Sequence, residues 1–256
     1  EQPPLLAAAA QLVACVGAGC DGQGQRDVGR RDQRAQLVPH GEAPLPLGDH
    51  VGDDPTAVAR NRAALEAALG LPTVWADQVH GSEVIHVTPD ALTAPRTQTG
   101  AVGTGDAMVT AEPGIALGVL VADCTPVLVH DTGSCLVGVA HAGRPGMVAG
   151  VALRLVEAMR DLGARQIEAT IGPSVCARCY EVPDEMRAEA ARENPAAYAT
   201  TWQGTAAVDV AAGVVEQLAA LDVDVTWLPG CTREDPTLYS YRRDGQTGRF
   251  AGIVGM

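Results

Sequence analysis

The sequence predicts an α/β protein built on a mixed sheet, and three observations lead there. Short apolar runs recur from Val74 onward and several are continuous instead of alternating, which implies strands buried on both faces. Stretches of helical period stand between them, and the order strand, helix, strand repeats through to Val254. With 256 residues and 46% apolar content the chain can bury a real core, and no linker interrupts its later part, so one large domain is expected.

The elements follow from local signals. Asp54 can cap a helix, Pro55 suits its first turn, and Val58, Arg62, Leu65 and Leu69 share one face before Gly70 ends it. Strands are expected at Val74 to Val79, Glu83 to Val87, Ala107 to Thr110, Ile115 to Val121, Pro126 to His130 and Cys135 to Ala140. An amphipathic helix from about Gly146 to Leu162 carries Val148, Val151, Leu155, Met159 and Leu162 as its buried stripe, with Gly163 closing it. Val210, Val214, Leu218 and Leu221 mark another helix and Val223 to Leu228 another strand; Tyr239 to Arg243 reads as a late polar strand or loop. Residues 17 to 47 show no sustained period of 2 or 3.6 and read as loop or disorder, so the ordered protein is expected from Gly48.

Composition excludes several function classes. The 31 acidic residues against 18 basic ones, all of them Arg, give a net charge of −13, which argues against a nucleic-acid partner. Three Trp, four Tyr and one Phe supply little stacking surface for single strands. The apolar stretch Leu5 to Val16 is too short to span a bilayer and has no basic residues before it, so no membrane partner is expected. Seven irregularly spaced Cys do not form a disulfide scaffold, which points to a reducing, cytoplasmic compartment.

Chemistry is expected around Cys124 and His141. They flank two strands joined by Asp131-Thr132-Gly133-Ser134, and a hairpin turning between Thr132 and Gly133 sets Cys124 opposite His141. Directly opposed residues have Cβ atoms about 4.5 to 5.5 Å apart, near enough for a thiolate and an imidazole to share one metal ion or one proton. Either residue alone reads as a buried thiol or a satisfied loop histidine; the pairing reverses that. His141 also stands where a buried strand gives way to a glycine loop and a helix, the usual place for a ligand in an α/β protein. His80, in Gln78-Val79-His80-Gly81, is the third candidate. Two His and one Cys make an open zinc site with water in the fourth position, although spacing alone leaves His80 undecided between ligand and loop residue.

Taken together, Gln78-Val79-His80-Gly81, Gly105-Asp106-Ala107 through Thr110, Ala122-Asp123-Cys124-Thr125-Pro126 and Ala140-His141-Ala142-Gly143 form a specific set. It continues with Ile171-Gly172-Pro173-Ser174, Tyr180-Glu181-Val182, Ser240-Tyr241-Arg242-Arg243-Asp244 and Thr247-Gly248-Arg249. The set resembles the YfiH-like proteins, variously described as the multicopper polyphenol oxidase or laccase-domain family and as purine nucleoside phosphorylases. The resemblance covers residues 48–256. It implies a single domain of packed mixed β-sheets flanked by helices in α/β/β/α layers, with His80, Cys124 and His141 as ligands of one metal, zinc or alternatively copper. It implies phosphorolysis of adenosine, inosine and methylthioadenosine, deamination of adenosine, and a link to editing of peptidoglycan precursors. The partners are then a purine nucleoside and phosphate. The anion donors available for that phosphate are backbone NH groups at the helix after Gly143, together with Arg144, Arg242, Arg243 and Arg249.

The chain departs from the family pattern twice. Where the family reads His-Ala-Gly-Trp-Arg-Gly, this chain reads His141-Ala142-Gly143-Arg144-Pro145-Gly146, so the Trp is absent and the Arg displaced by one. The strand, the Arg beside paired glycines and the Ser that the family's N-terminal segment supplies are not recognisable in residues 13 to 47. An altered segment or shifted reading frame is therefore expected over 1–47.

Two other readings compete. Polyphenol oxidation by a laccase needs further coppers held by many imidazoles, and the remaining His40, His50, His86 and His130 are scattered. A metal-free thiol hydrolase or transferase would use Cys124 as nucleophile and His141 as its base. Cys176-Ala177-Arg178-Cys179 is a single CxxC without a partner pair and reads as a buried loop before a structural metal or redox site.

Overall fold

A computed structural model describes residues 12–16, 36–38, 47, 55–95, 97 and 99–256. In chain order its first half comprises β1 (Leu12–Val16), β2 (Gln36–Val38), α1 (Pro55–Leu69), β3 (Thr73–Trp75), β4 (Val84–His86), β5 (Ala107–Thr110), β6 (Ala116–Val121), β7 (Thr125–Asp131) and β8 (Val137–Ala142). The second half comprises α2 (Arg144–Val148), α3 (Val151–Asp161), β9 (Ile167–Ile171), α4 (Asp184–Glu193), β10 (Tyr198–Thr200), β11 (Ala206–Val208), α5 (Val210–Ala219), β12 (Asp224–Trp227), α6 (Tyr241–Asp244) and β13 (Phe250–Gly255).

Two mixed sheets pack face to face. One runs β2-β1-β13-β6-β3, the other β12-β9-β7-β8-β5-β4, and β10 and β11 form a separate ribbon. Period-two alternation sorts their side chains. Leu128, Val137 and Val139 of the larger sheet meet Leu117, Val119 and Val254 of the smaller one in a core between the sheets. Val127, Val129, Ala140 and Ala142 point the other way, against Leu155 and Met159 of α3 and Val214 and Leu218 of α5. On the far side Leu65 of α1 packs with Trp75, Leu120 and Ile253. The layers are therefore α/β/β/α.

α1 and β5 fall where the sequence places them, whereas other expectations shift for identifiable reasons. The single helix from Gly146 to Leu162 is two helices, because Gly150 adopts a left-handed conformation (φ 78°) that stops α2 and restarts the chain as α3. Leu162, assigned to the buried stripe, lies 39% exposed beyond the end of α3. Of Tyr239 to Arg243, Tyr239 and Ser240 are loop and Tyr241 to Arg243 are helical: Ser240 caps the short α6 by accepting a hydrogen bond from the Arg243 amide. The stretch read as loop includes β2, and Leu12–Val16 pairs in parallel with β13, so a strand is present there that the sequence did not reveal. Strands of three to five residues carry too little periodicity to be read unaided. Asp54, His40 and His50 lie outside the described residues.

The register of the β7–β8 hairpin bears most on the site. Pro126 pairs with His141 and Thr125 with Ala142, two positions away from the expected register. Asp131 explains the shift. Its carboxylate accepts hydrogen bonds from the Ser134 hydroxyl (2.6 Å) and the amides of Arg165 and Gln166, while the Thr132 amide donates to the Gln166 carbonyl. These contacts hold Thr132–Cys135 as a wider loop closed by the Asp131–Leu136 pair. A shift of two residues conserves the face, so Cys124 becomes the diagonal neighbour of His141 and stays on its side of the sheet.

Candidate metal centre

Three chain segments converge at the open end of the gap between the sheets. His141 occupies the penultimate position of β8 and is 3% exposed. Cys124 stands immediately before β7, half-buried, and His80 lies on the exposed turn between β3 and β4. Their ligand atoms all lie within 4.8 Å of one another. Cys124 Sγ is 3.7 Å from His80 Nε2, and the two imidazoles meet edge to face with ring centroids 4.7 Å apart.

The backbone is bent to bring them there. His80 (φ 61°) and Asp123 (φ 89°) are non-glycine residues in the left-handed region, a strained conformation that a functional site commonly stores. Two buried carboxylates hold that geometry. Asp106, 1% exposed, accepts from His141 Nδ1 at 2.8 Å and from the amides of Val79, His80 and Gly81 at 2.7 to 3.1 Å. It thereby fixes His141 with Nε2 left to the Cys124 side and holds the His80 turn against β5. Asp123 accepts from the hydroxyls of Thr232 (2.6 Å) and Ser240 (2.7 Å) and from the Arg242 amide (2.6 Å), anchoring two later loops beside Cys124. Gln78 bridges to β6 through both backbone groups of Leu120.

Electrostatics follow from this packing. Burial raises the Cys124 thiol, yet the charge and hydrogen bonds of His141 and His80 outweigh it and bring its pKa down to about 6. Burial likewise depresses His141, but the Cys124 thiolate and the Asp106 carboxylate raise it to about 9. Asp106 is held below the usual carboxylate range: burial works against ionisation, and the His141 and amide hydrogen bonds prevail. Without a metal, these opposite shifts favour a thiolate–imidazolium pair at Cys124 and His141. Two imidazoles and a thiolate are also the donor set of an open zinc site, and the Asp106 carboxylate on His141 Nδ1 is the partner that such a histidine ordinarily has. These residues fit such an ion.

Gly143 explains its own identity. A Cβ there would stand 2.6 Å from His80 Cδ2 and 3.2 Å from Cys124 Sγ, so any side chain would push two of the three candidate ligands aside. The adjoining cavity of about 390 Å³ is lined by His80, Cys124, His141, Gln78, Tyr180, Tyr241, Arg242 and Arg249, among others. Arg242 stacks over Tyr180 at 4.5 Å and donates to the Glu181 carbonyl. Arg144 and Arg243 do not line it. Arg144 pairs with Glu189 of α4 at 2.9 Å, and Arg243 donates to the carbonyls of Thr232, Asp235 and Leu238, clamping the loop. The backbone after Gly143 opens a helix of five residues only.

Asp106 and Asp123 received no role from the sequence, although the signal was there: each is an acid at the margin of a fully buried strand. Among the described residues the other histidines, His86 and His130, do not gather. His86 is exposed on β4, and His130 sits at the far end of β7, facing Glu168 at 3.7 Å.

The chain matches, over residues 34–256, the family described as multi-copper polyphenol oxidoreductase laccase. A purine nucleoside phosphorylase of Streptomyces coelicolor is 53% identical over 223 residues, covering 85% of this chain and 89% of that protein. A purine nucleoside phosphorylase of Mycobacterium tuberculosis is 48% identical over 216 residues, covering 82% and 84%. Among solved structures, YfiH of Bacillus licheniformis superposes with a TM-score of 0.75 at 28% identity, covering 83% of this chain and 86% of that one. YlmD of Geobacillus stearothermophilus superposes with a TM-score of 0.72 at 32% identity, covering 82% and 84%. The chain belongs to the multi-copper polyphenol oxidoreductase laccase family, that of the YfiH-like proteins.

Proposed function

We propose that this chain is a metal-dependent purine nucleoside phosphorylase acting on adenosine, inosine and methylthioadenosine, with adenosine deaminase activity at the same site. The observation that carries this reading is the convergence of His80, Cys124 and His141 on a cavity whose wall also holds Arg242 and Arg249. The names of relatives at 48% and 53% identity support the substrate class. On this reading the catalytic domain runs over 48–256, and the altered segment 1–47 adds backbone to one sheet through β1 and β2.

A zinc ion held by His80, Cys124 and His141 would supply Lewis acidity, polarising a substrate group or bringing a water molecule's pKa toward neutrality. Arg242 and Arg249 provide positive charge for phosphate, whose oxygen attacks the ribose carbon as the bond to the base breaks. Tyr180 and Tyr241 offer aromatic faces for the purine. Asp106 keeps His141 in one tautomer, with the proton at Nδ1. In deamination the attacking group is water and the leaving group ammonia, so phosphate is not required.

A second reading, a metal-free thiol hydrolase or transferase, is favoured by one observation, the lowered pKa of Cys124 beside His141. Copper-dependent polyphenol oxidation has the family's description behind it. Among the described residues, however, no further imidazoles cluster to hold additional coppers. Incubation with adenosine, inosine and methylthioadenosine, with and without phosphate, separates these readings by chromatography. Free base released only with phosphate is expected. A metal-free, fully active protein silenced by thiol alkylation would establish the thiol mechanism instead.

A further inference from the structure

We propose that Cys176, Cys179, Cys231 and Glu234 form a second metal site, structural and of zinc type, which ties the loop after β9 to the loop after β12. Sequence spacing shows half of it. Cys176-Ala177-Arg178-Cys179 lacks a visible partner because the matching element is Cys231-Thr232-Arg233-Glu234, in which Glu stands where a second Cys would be looked for. Folding brings the two together. Ser174 and Cys231 form a parallel bridge, and the Thr232 amide donates to the Ser174 carbonyl at 3.1 Å.

Both elements adopt the same one-turn shape. The amides of Cys179 and Tyr180 donate to the Cys176 carbonyl at 2.9 and 3.0 Å; those of Glu234 and Asp235 donate to the Cys231 carbonyl at 3.2 and 2.9 Å. In each turn the residues at positions one and four point to one place, and the four ligand atoms lie within 4.8 Å of one another. The three cysteines are free thiols. The Cys176 amide donates to Cys231 Sγ at 3.4 Å, a contact that steadies a thiolate, and Cys179 Sγ lies 3.4 Å from Glu234 Oε1. Three soft sulfurs and one carboxylate supply the four donors of a closed tetrahedral zinc site, with Zn–S about 2.3 Å. Binding displaces the thiol protons and leaves a compact anionic cluster around a dication. A disulfide between two of the thiols would employ neither the third sulfur nor Glu234.

The position gives the site a purpose. Thr232, between two of its ligands, hydrogen-bonds Asp123 beside Cys124; Tyr180, which follows Cys179, lines the cavity. A cation here would fasten one wall of the cavity without touching substrate. This inference is independent of the reaction proposed above.

Zinc bound per chain after dialysis tests it, in the intact protein and in Cys231→Ser, Glu234→Ala and Cys124→Ser. About two equivalents are expected in the intact protein and about one in each variant. Should Cys231→Ser not fold, peptide mapping of the intact protein decides: zinc should protect Cys176, Cys179 and Cys231 from alkylation, and chelation should expose them. Equal alkylation with and without zinc, undiminished zinc in Glu234→Ala, or a disulfide linking two of these thiols in protein purified without reductant would overturn the proposal.

Discussion

Asp106 Oδ1 accepts the Nδ1 proton of His141 at 2.8 Å while the same carboxylate binds the three backbone amides that shape the His80 turn. One buried acid therefore orients one candidate ligand and positions another. Replacing Asp106 by Asn keeps the shape and removes the charge. Loss of such an outer partner lowers metal affinity by about 10–100-fold. Competition with a chromophoric chelator measures it, and an unchanged affinity would deny Asp106 this role.

Gly143→Ala places a methyl group 2.6 Å from His80 Cδ2 and 3.2 Å from Cys124 Sγ. The position has an ordinary φ of −78°, so backbone strain is not the issue. The expected result is a loss of metal affinity of at least about tenfold, near 1.4 kcal/mol by the affinity relation, while the far-UV spectrum is unchanged. Titration calorimetry with zinc checks it.

In metal-free protein the Cys124 thiol is brought down to about 6 by His141 and His80 against the pull of burial. A lowered thiol pKa means that the thiolate is present above that value and is lost as the pH falls through it. Alkylation of Cys124 by iodoacetamide should therefore be half-maximal near pH 6, and the pair with His141 should persist until the imidazolium deprotonates at about 9. In His141→Ala the midpoint rises from about 6, because burial remains and the larger of its two counter-charges is gone while that of His80 stays. A wild-type midpoint already at the ordinary value would contradict the pairing.

Arg242 and Arg243 are adjacent in sequence and differ in task. Arg242 lines the cavity, so Arg242→Met should raise the KM for phosphate by about 10–100-fold, the equivalent of one charged hydrogen bond, with little change in thermal stability. Arg243 donates to three loop carbonyls, so Arg243→Met should lower Tm and cost about 2–4 kcal/mol. Steady-state kinetics and calorimetry on both variants distinguish the two roles.

The amphipathic face of α1 and the continuous apolar runs of β5 to β8 were legible because burial on one or both faces leaves a period in the sequence. The hairpin register was not: it depends on Asp131 being bound by Arg165 and Gln166, thirty-odd residues along the chain, and turn composition carries no trace of that contact. Cys124 and His141 could be named because they flank the two strands of one hairpin; His80 lies on a turn away from any strand end, and its motif with Gly81 singled it out. Arg144 and Arg243 were candidates by charge alone, and a cation's destination is set by its partners, here Glu189 and three carbonyls. The CxxC hid its counterpart for a similar reason, since only the bridge from Ser174 to Cys231 brings Glu234 to it.

The most direct measurement is zinc content together with phosphate-dependent release of base from inosine, in wild type and in Cys124→Ser. The account predicts one equivalent of zinc fewer in the variant and no base released. A variant that binds as much zinc as wild type, or that still releases base, would contradict it.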